Sequence, residues 1–386
     1  MPLRVAFVSH HSHLRMGGQR SMALLIEHLD RRRLEPLVIC PGPGELADRL
    51  EAIDCRVVHI PLYHVKPRTL RRIWASSRRI RAVLRDRAID IIAPDAARDA
   101  LTCGLAKLGT ATKMVWFVRL TAKYPLDPLL ERLADGLIGV SNDTRRRFRP
   151  CRRVAAKYRT ILDGADLRLF RPPADRRALR RRLALPVDRP VLIFVGQVKE
   201  TKGVLDIVDA MAALRREAEN AEMPLLLVIG TPSPPEIVGQ IGQRAADGGV
   251  AGDVQVLPQQ RDIHEWMQAA DLLISGSHED TEGLSRVLYE AMACGTVPVA
   301  TDIRGNRDAL TAATGVLVPE RTPLEMARAI RFLLDDPIRR ARMGAAGIAR
   351  ARDLFDIQRH ARQVEEFYAD VVERASTRVV GGPRGD

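Results

Sequence analysis

The strongest constraint on this chain is a series of short, continuous apolar runs, each four to seven residues long and separated by longer stretches with helical spacing. In the first half the runs fall at 3–9, 37–40, 57–60, 89–93, 113–118 and 136–140. Helical patterns lie between most of them, for example at 18–29, 71–86 and 97–108. The second half repeats the logic, with runs at 191–195, 225–229, 254–257, 272–275, 297–300 and 315–318 and helical patterns at 204–216, 263–269 and 286–294. A strand that is apolar on both sides must be covered on both faces, and helices between parallel strands provide that cover. The expectation is an α/β chain of two doubly wound parallel sheets. Its 386 residues suit two domains of ordinary size. The predicted boundaries are 1–168, a linker at 169–190 that is rich in proline and arginine, 191–356, and a last helix at 357–376.

Other classes are excluded by composition. No apolar run approaches the roughly 20 residues of a membrane span. The apolar N-terminal run is too short for a secretion signal. The five cysteines are scattered and form no CxxC pair, so neither a disulfide framework nor a structural zinc site is expected and a reducing cytoplasm fits. Charge is distributed unevenly. Residues 1–173 carry 33 Lys+Arg against 17 Asp+Glu, whereas residues 174–386 carry 28 against 31. An arginine-rich surface explains the usage but not the asymmetry. The functional reading is a first domain that rests against something anionic. Nucleic acid is not expected as a partner, because aromatics do not interleave with the basic residues and no binding motif is visible.

In doubly wound sheets ligands bind outside the carboxyl ends of the strands, so three loops matter most. The first holds His10, His11, His13, Gly17 and Gly18 ahead of a helix. Glycines there allow close backbone approach, and the free amides at a helix start attract anions. The histidines lack the spacing and carboxylate company of a typical metal site, so no metal is expected. The second loop runs from Gly196 and Gln197 to Lys202 and Gly203, where a lysine beside a helix start pairs with an anion or is simply a surface lysine. The third runs from Ser275 through Glu282, Gly283, Leu284, Ser285, Arg286 and Val287 to Glu290. Glu290 interrupts an otherwise apolar helix, and a buried carboxylate needs donors from the protein or from a ligand. A carboxylate, a phosphate cradle and a second carboxylate in this order suit a nucleoside diphosphate sugar.

On these residues the chain resembles the family-4 glycosyltransferases. Glu282 to Glu290 matches their E-x7-E motif, and Glu290-Ala291-Met292-Ala293-Cys294-Gly295 continues it. Gly196 with Lys202-Gly203 matches their second-domain strand–loop–helix, Gly17-Gly18 their N-terminal glycine loop, and Asp163-Gly164-Ala165-Asp166 with Phe170-Arg171-Pro172 their segment before the second domain. The resemblance implies the GT-B fold, two Rossmann-like domains facing across a cleft, and retaining transfer from a nucleotide-diphosphate sugar without a metal or other cofactor. It implies that Lys202 pairs with the diphosphate, that the amides of Gly283, Leu284, Ser285, Arg286 and Val287 cradle phosphate, and that Glu290 holds ribose hydroxyls. It further implies that Glu282 contacts the sugar, that Lys202 is the second catalytic residue, and that Gly18 and Gln197 line the donor. Three departures stand out. Gln197 occupies a position that is usually Arg, with Lys199 or Arg286 as substitutes. The stretch 114–119 has no histidine, leaving Arg119 or one of His10, His11 and His13, with His13 the one singled out, to reach sugar or acceptor. Asp163 stands where the family has Asn. The leading expectation is a cytoplasmic enzyme, peripheral on the inner membrane face, that builds envelope polysaccharide or glycolipid on a saccharide or lipid-linked acceptor. A nucleotide-sugar epimerase or hydrolase, marked by turnover without acceptor, and a non-catalytic nucleotide-sugar binder are the alternatives.

Overall fold

Strand β1 (Leu3–Val8) shows how an all-apolar run becomes a central strand: Val5 and Phe7 enter one buried cluster while Ala6 and Val8 enter another on the opposite face. The computed structural model describes residues 2–217, 222–279 and 283–380. These fall into two units, Met1–Gly164 with Ile357–Asp386, and Ala165–Asp356.

The first unit adds β2 (Leu34–Cys40), β3 (Arg56–His59), β4 (Ile91–Pro94), β5 (Lys113–Val118), β6 (Gly136–Gly139) and β7 (Tyr158–Thr160). They form a seven-stranded sheet in the order β3-β2-β1-β4-β5-β6-β7, with every pair parallel. The chain winds outward from β1 to β3 and then restarts at β4 on the other side of β1. Strand β2 begins before the expected 37–40, across Pro36. The proline is tolerated because it precedes the first β3 pair, Leu37 with Arg56, so no ladder bond needs its missing N–H. Strand β7 was not expected. It is a three-residue, half-buried edge strand of Tyr, Arg and Thr with no apolar run to betray it. The helix Ile357–Val380 belongs to this unit: Val364, Phe367, Tyr368 and Val371 pack into the cluster that holds Val5, Phe7, Val115 and Phe117. Glu365 accepts from the Asp30 backbone at 2.8 Å and pairs with Arg33 at 3.0 Å.

The second unit has β8 (Val191–Val195), β9 (Leu225–Ile229), β10 (Val254–Leu257), β11 (Leu272–Ser275), β12 (Val297–Thr301) and β13 (Val316–Val318) in the parallel order β10-β9-β8-β11-β12-β13. Its restart lies between β8 and β11. Leu192, Phe194, Val204, Ile207, Val208, Leu226 and Val228 lead one buried face.

The region 169–190 is not a linker. It lies within the second unit and carries the helix Arg176–Arg182, capped by Asp175, whose side chain accepts from the Ala178 amide at 3.0 Å. Arg180 is buried, with 2.6 Å to Asp271 and further bonds to the carbonyls of Ala269, Val187 and Arg189. The arginine cluster that read as part of a linker is partly internal wiring, because one guanidinium satisfies three carbonyls and a carboxylate at once. The division also falls after Gly164 rather than after residue 168: the Ala165 amide bonds the Phe355 carbonyl at 2.7 Å within the second unit.

Candidate functional site

At the restarts of strand order the loops after β1, β8 and β11 are the ones the sequence singled out, whereas the loop after β4, which brings in Asp95, Arg98 and Asp99, was not, and each unit builds its own cluster there.

In the second unit the chain leaves β8 through Gly196 and the half-buried Gln197, and Val198 is anchored by its amide to the Thr231 carbonyl at 2.9 Å. A single 3-10 turn, Glu200–Lys202, ends on Gly203 at φ 65° before the helix Val204–Glu217. A Cβ on Gly203 would sit 1.9 Å from the Gly276 carbonyl oxygen, so the loops after β8 and β11 touch backbone to backbone, and only glycine fits. The His278 amide adds a bond to the Thr201 carbonyl at 3.1 Å, and its ring reaches Asp206 at 2.8 Å. Lys202 is thus carried on a turn clamped to the end of β11. The Thr301 hydroxyl donates to the Ser277 carbonyl at 2.5 Å, and Glu279 pairs with Arg304 at 3.0 Å.

The helix Arg286–Ala293 begins after buried Gly283, Leu284 and Ser285, and the Ser285 side chain makes no capping bond of its own. Glu290 is buried, as its place in an apolar helix required, and the protein supplies a donor: Arg286, one turn earlier, bonds its Oε1 at 2.7 Å. A carboxylate accepts about four hydrogen bonds, so this contact leaves Glu290 capacity for hydroxyl groups. It also commits the Arg286 charge, which limits that residue as a replacement cation for Gln197. The neighbouring Tyr289 stacks on Phe355 with ring centroids 4.7 Å apart, fixing the helix rotation. Val287 is half-buried in the first turn. Glu282 lies outside the described residues.

In the first unit Gly18 lies in the first turn of the helix Gly17–His28, where a Cβ would meet Asp95 Oδ2 at 2.7 Å and Arg119 Cδ at 3.3 Å. Arg119 is mostly buried and ion-paired to both Asp95 and Asp163, the latter at 2.7 Å. Asp163 also accepts from the Ser21 hydroxyl at 3.0 Å. Two departures from the family pattern are therefore one feature. A mostly buried arginine at 119 favours anions around it, and an aspartate at 163 supplies one beside Asp95 where asparagine would not. Its charge being neutralised by two carboxylates, Arg119 acts here as a cross-strand tie.

His13 stacks on His11 with centroids 4.8 Å apart, and His10 meets both His11 at 5.1 Å and His64 at 4.8 Å. The sequence reading missed His64, which enters from the loop after β3. His10 Nδ1 lies 2.8 Å from Asp99 Oδ1, both buried. Burial pushes the Asp99 carboxyl upward, and the His10 bond opposes that shift. Arg98 lies 3.1 Å from His11 Nε2, so the guanidinium donates and a neutral imidazole accepts. Burial, then Arg98 and the neighbouring histidines, hold His11 down to about 4. Among the described residues no three His, Cys, Asp or Glu side chains converge as a metal site.

Comparison with known proteins gives the same architecture. The model for glycosyl transferases group 1 matches residues 175–350 and that for Glycosyltransferase Family 4 matches residues 16–169, together most of the chain. The D-inositol 3-phosphate glycosyltransferase of Jonesia denitrificans is 35% identical over 187 residues, 47% of this chain and 44% of that protein. The chain spans about half the length of the curated relatives it matches. A glycosyltransferase from Rickettsia africae superposes with a TM-score of 0.84 at 17% identity, over 96% of this chain and 99% of that one. HepE from Anabaena, solved with UDP and glucose, superposes at 0.79 and 18% identity, over 95% and 99%. These likenesses establish the GT-B class of fold, with its two Rossmann-like halves.

Proposed function

The chain belongs to glycosyltransferase family 4, and on that premise we propose that it moves a sugar, with retention, from a nucleotide-diphosphate sugar to an acceptor hydroxyl. The observation that carries this reading is the buried Glu290, held through Oε1 by Arg286 one turn inside the helix that opens at Ser285. Helix amides attract a phosphate and the carboxylate deeper in the helix accepts from ribose hydroxyls. Lys202, on its clamped turn, pairs with the diphosphate. As the glycosidic bond breaks, negative charge grows on the leaving phosphate, and a fixed ammonium with fixed amides stabilises it without reorganisation. These groups supply the counter-charge in place of a divalent ion. Glu282 supports the transferred sugar. HepE was solved with UDP-glucose, which favours a uridine nucleotide as the first donor to try.

The acceptor is a saccharide or a lipid-linked carrier, and the product belongs to envelope polysaccharide or glycolipid synthesis on the inner membrane face. The attachment proposed is through a surface; no described helix is long and apolar enough to cross a membrane. The relatives are named for D-inositol 3-phosphate, a phosphorylated polyol, which is therefore one acceptor to test.

A thermal-shift screen against UDP-, GDP-, ADP- and dTDP-sugars tests the donor half. A ligand at 100 times its Kd stabilises by about 2.7 kcal/mol. One donor class should raise Tm, and Glu290→Ala and Lys202→Ala should each lose most of that rise relative to their own ligand-free Tm. No shift with any donor at millimolar concentration would sink the reading. Donor turnover that proceeds equally with and without acceptor would replace transfer by hydrolysis or epimerisation. Activity should survive EDTA.

A further inference from the structure

The helix Leu70–Asp86 faces inward with Ile73, Ser76, Ser77, Ile80 and Leu84. Its outer stripe is unusual. Leu70 is 53% exposed and Trp74 59% exposed, one helical turn apart. Arg78, the next turn on, lies over the Trp74 ring at 4.8 Å. Exposed Arg71, Arg72 and Arg79 flank this stripe. Residues 61–85 hold eight Lys+Arg and no Asp or Glu. Arg81 and Arg85 turn inward to cap carbonyls at 105, 106 and 109. Among the described residues Lys66, Arg68, Arg71, Arg72 and Arg78 form no ion pair.

A large aromatic and a leucine kept in water cost solvation, and the arginines around them repel one another. Both costs vanish against one kind of partner: an interface whose outer layer is anionic and whose next layer is apolar. A nucleic acid would accept the charges but gives Leu70 nothing, and one tryptophan is not a stacking row. We infer that this helix is the face by which the protein docks on an anionic lipid bilayer, with Trp74 and Leu70 at headgroup depth and the arginines on lipid phosphates. The inference rests on the reading of an acceptor carried at a lipid surface and assigns the surface that meets it.

The test is co-sedimentation of the full chain with vesicles of phosphatidylcholine alone or with about 30% phosphatidylglycerol. The anionic vesicles should bind and the neutral ones should not, with binding released by salt. Neutralising Arg71, Arg72 and Arg78 together to Gln should weaken partitioning by about 100-fold, since each basic residue near such a surface contributes about five-fold. Trp74→Ala should weaken it several-fold, and brominated lipids should quench Trp74 fluorescence in the wild type. All four side chains are exposed, so these variants should fold, and their thermal shift with the nucleotide sugar should match wild type. That shift separates the two ideas: its absence strikes the transferase reading alone. Equal binding to neutral and anionic vesicles, unchanged binding by the triple variant, or binding to a short DNA duplex at physiological salt without vesicle binding would each overturn the docking assignment.

Discussion

Substituting alanine at three glycines separates backbone strain from steric clash at the clamped turn. Gly242 is exposed inside the helix Ile237–Asp247, and a Cβ added there would have nothing within 4 Å. Gly242→Ala should therefore stabilise by about 1 kcal/mol through helix propensity alone. Gly249 has φ 68° and equally open space, so Gly249→Ala should cost only the left-handed conformation, about 1 kcal/mol. Gly203 has nearly the same φ, 65°, but its Cβ would lie 1.9 Å from the Gly276 oxygen. Ordinary contact is more than about 1 Å longer, so the loops must part. Parting them adds overpacking of about 1–3 kcal/mol and endangers the bond between the His278 amide and the Thr201 carbonyl, worth about 1 kcal/mol. Gly203→Ala should thus cost about 4 kcal/mol, read as a fall in the urea midpoint at constant m-value. It should also weaken nucleotide-sugar binding, because Lys202 is the preceding residue. If Gly203→Ala and Gly249→Ala proved equally mild, the backbone contact between the loops after β8 and β11 would not exist and the clamp would be wrong.

Other perturbations test other parts. Arg180→Met leaves three carbonyls without their donor and Asp271 with only the Val191 amide and the more distant Arg176, and should cost about 2–4 kcal/mol in urea unfolding; a cost below about 1 kcal/mol would return 169–190 to the status of a linker. Asp163→Asn should cost about 2 kcal/mol in an Arg119 background and far less with Arg119→Leu, a coupling that a double-mutant cycle measures directly. His11 titrates near 4 when folded and near 6.5 when unfolded. The unfolded chain therefore takes up a proton first, and stability falls as pH drops from 6.5 toward 4. Allowing for solvent screening of a half-buried ring, the loss by about pH 5 should be about 1 kcal/mol. The variant His11→Gln should show a flatter decline, and parallel profiles would mean that the histidine cluster is not packed around His11.

The α/β class was legible because period and apolarity are local properties. Apolar runs predicted the strands, and every observed strand but one falls on such a run. Tyr158–Thr160 escaped because an edge strand with one neighbour needs no apolar run. The candidate loops were legible too, since glycines before helices and a carboxylate inside an apolar helix are visible without coordinates. Partner choice was not. Nothing in the order of residues says that Arg286 satisfies Glu290, although spacing of one helical turn allows it. His64 joins His10 because β3 and β1 both lie close to β2, and their wide separation along the chain hides that. The arginines show the division most clearly. Their number, and their crowding in the first half, follow from the order of residues alone, because charge is counted residue by residue. Only the tertiary structure decided that Arg180 is a buried tie to a carboxylate and carbonyls and Arg119 a mostly buried tie between two carboxylates, while Arg71, Arg72 and Arg78 face water beside an exposed tryptophan. The side chain is identical in each case. What differs is whether folding brings acceptors within reach of the guanidinium, and long-range packing sets that.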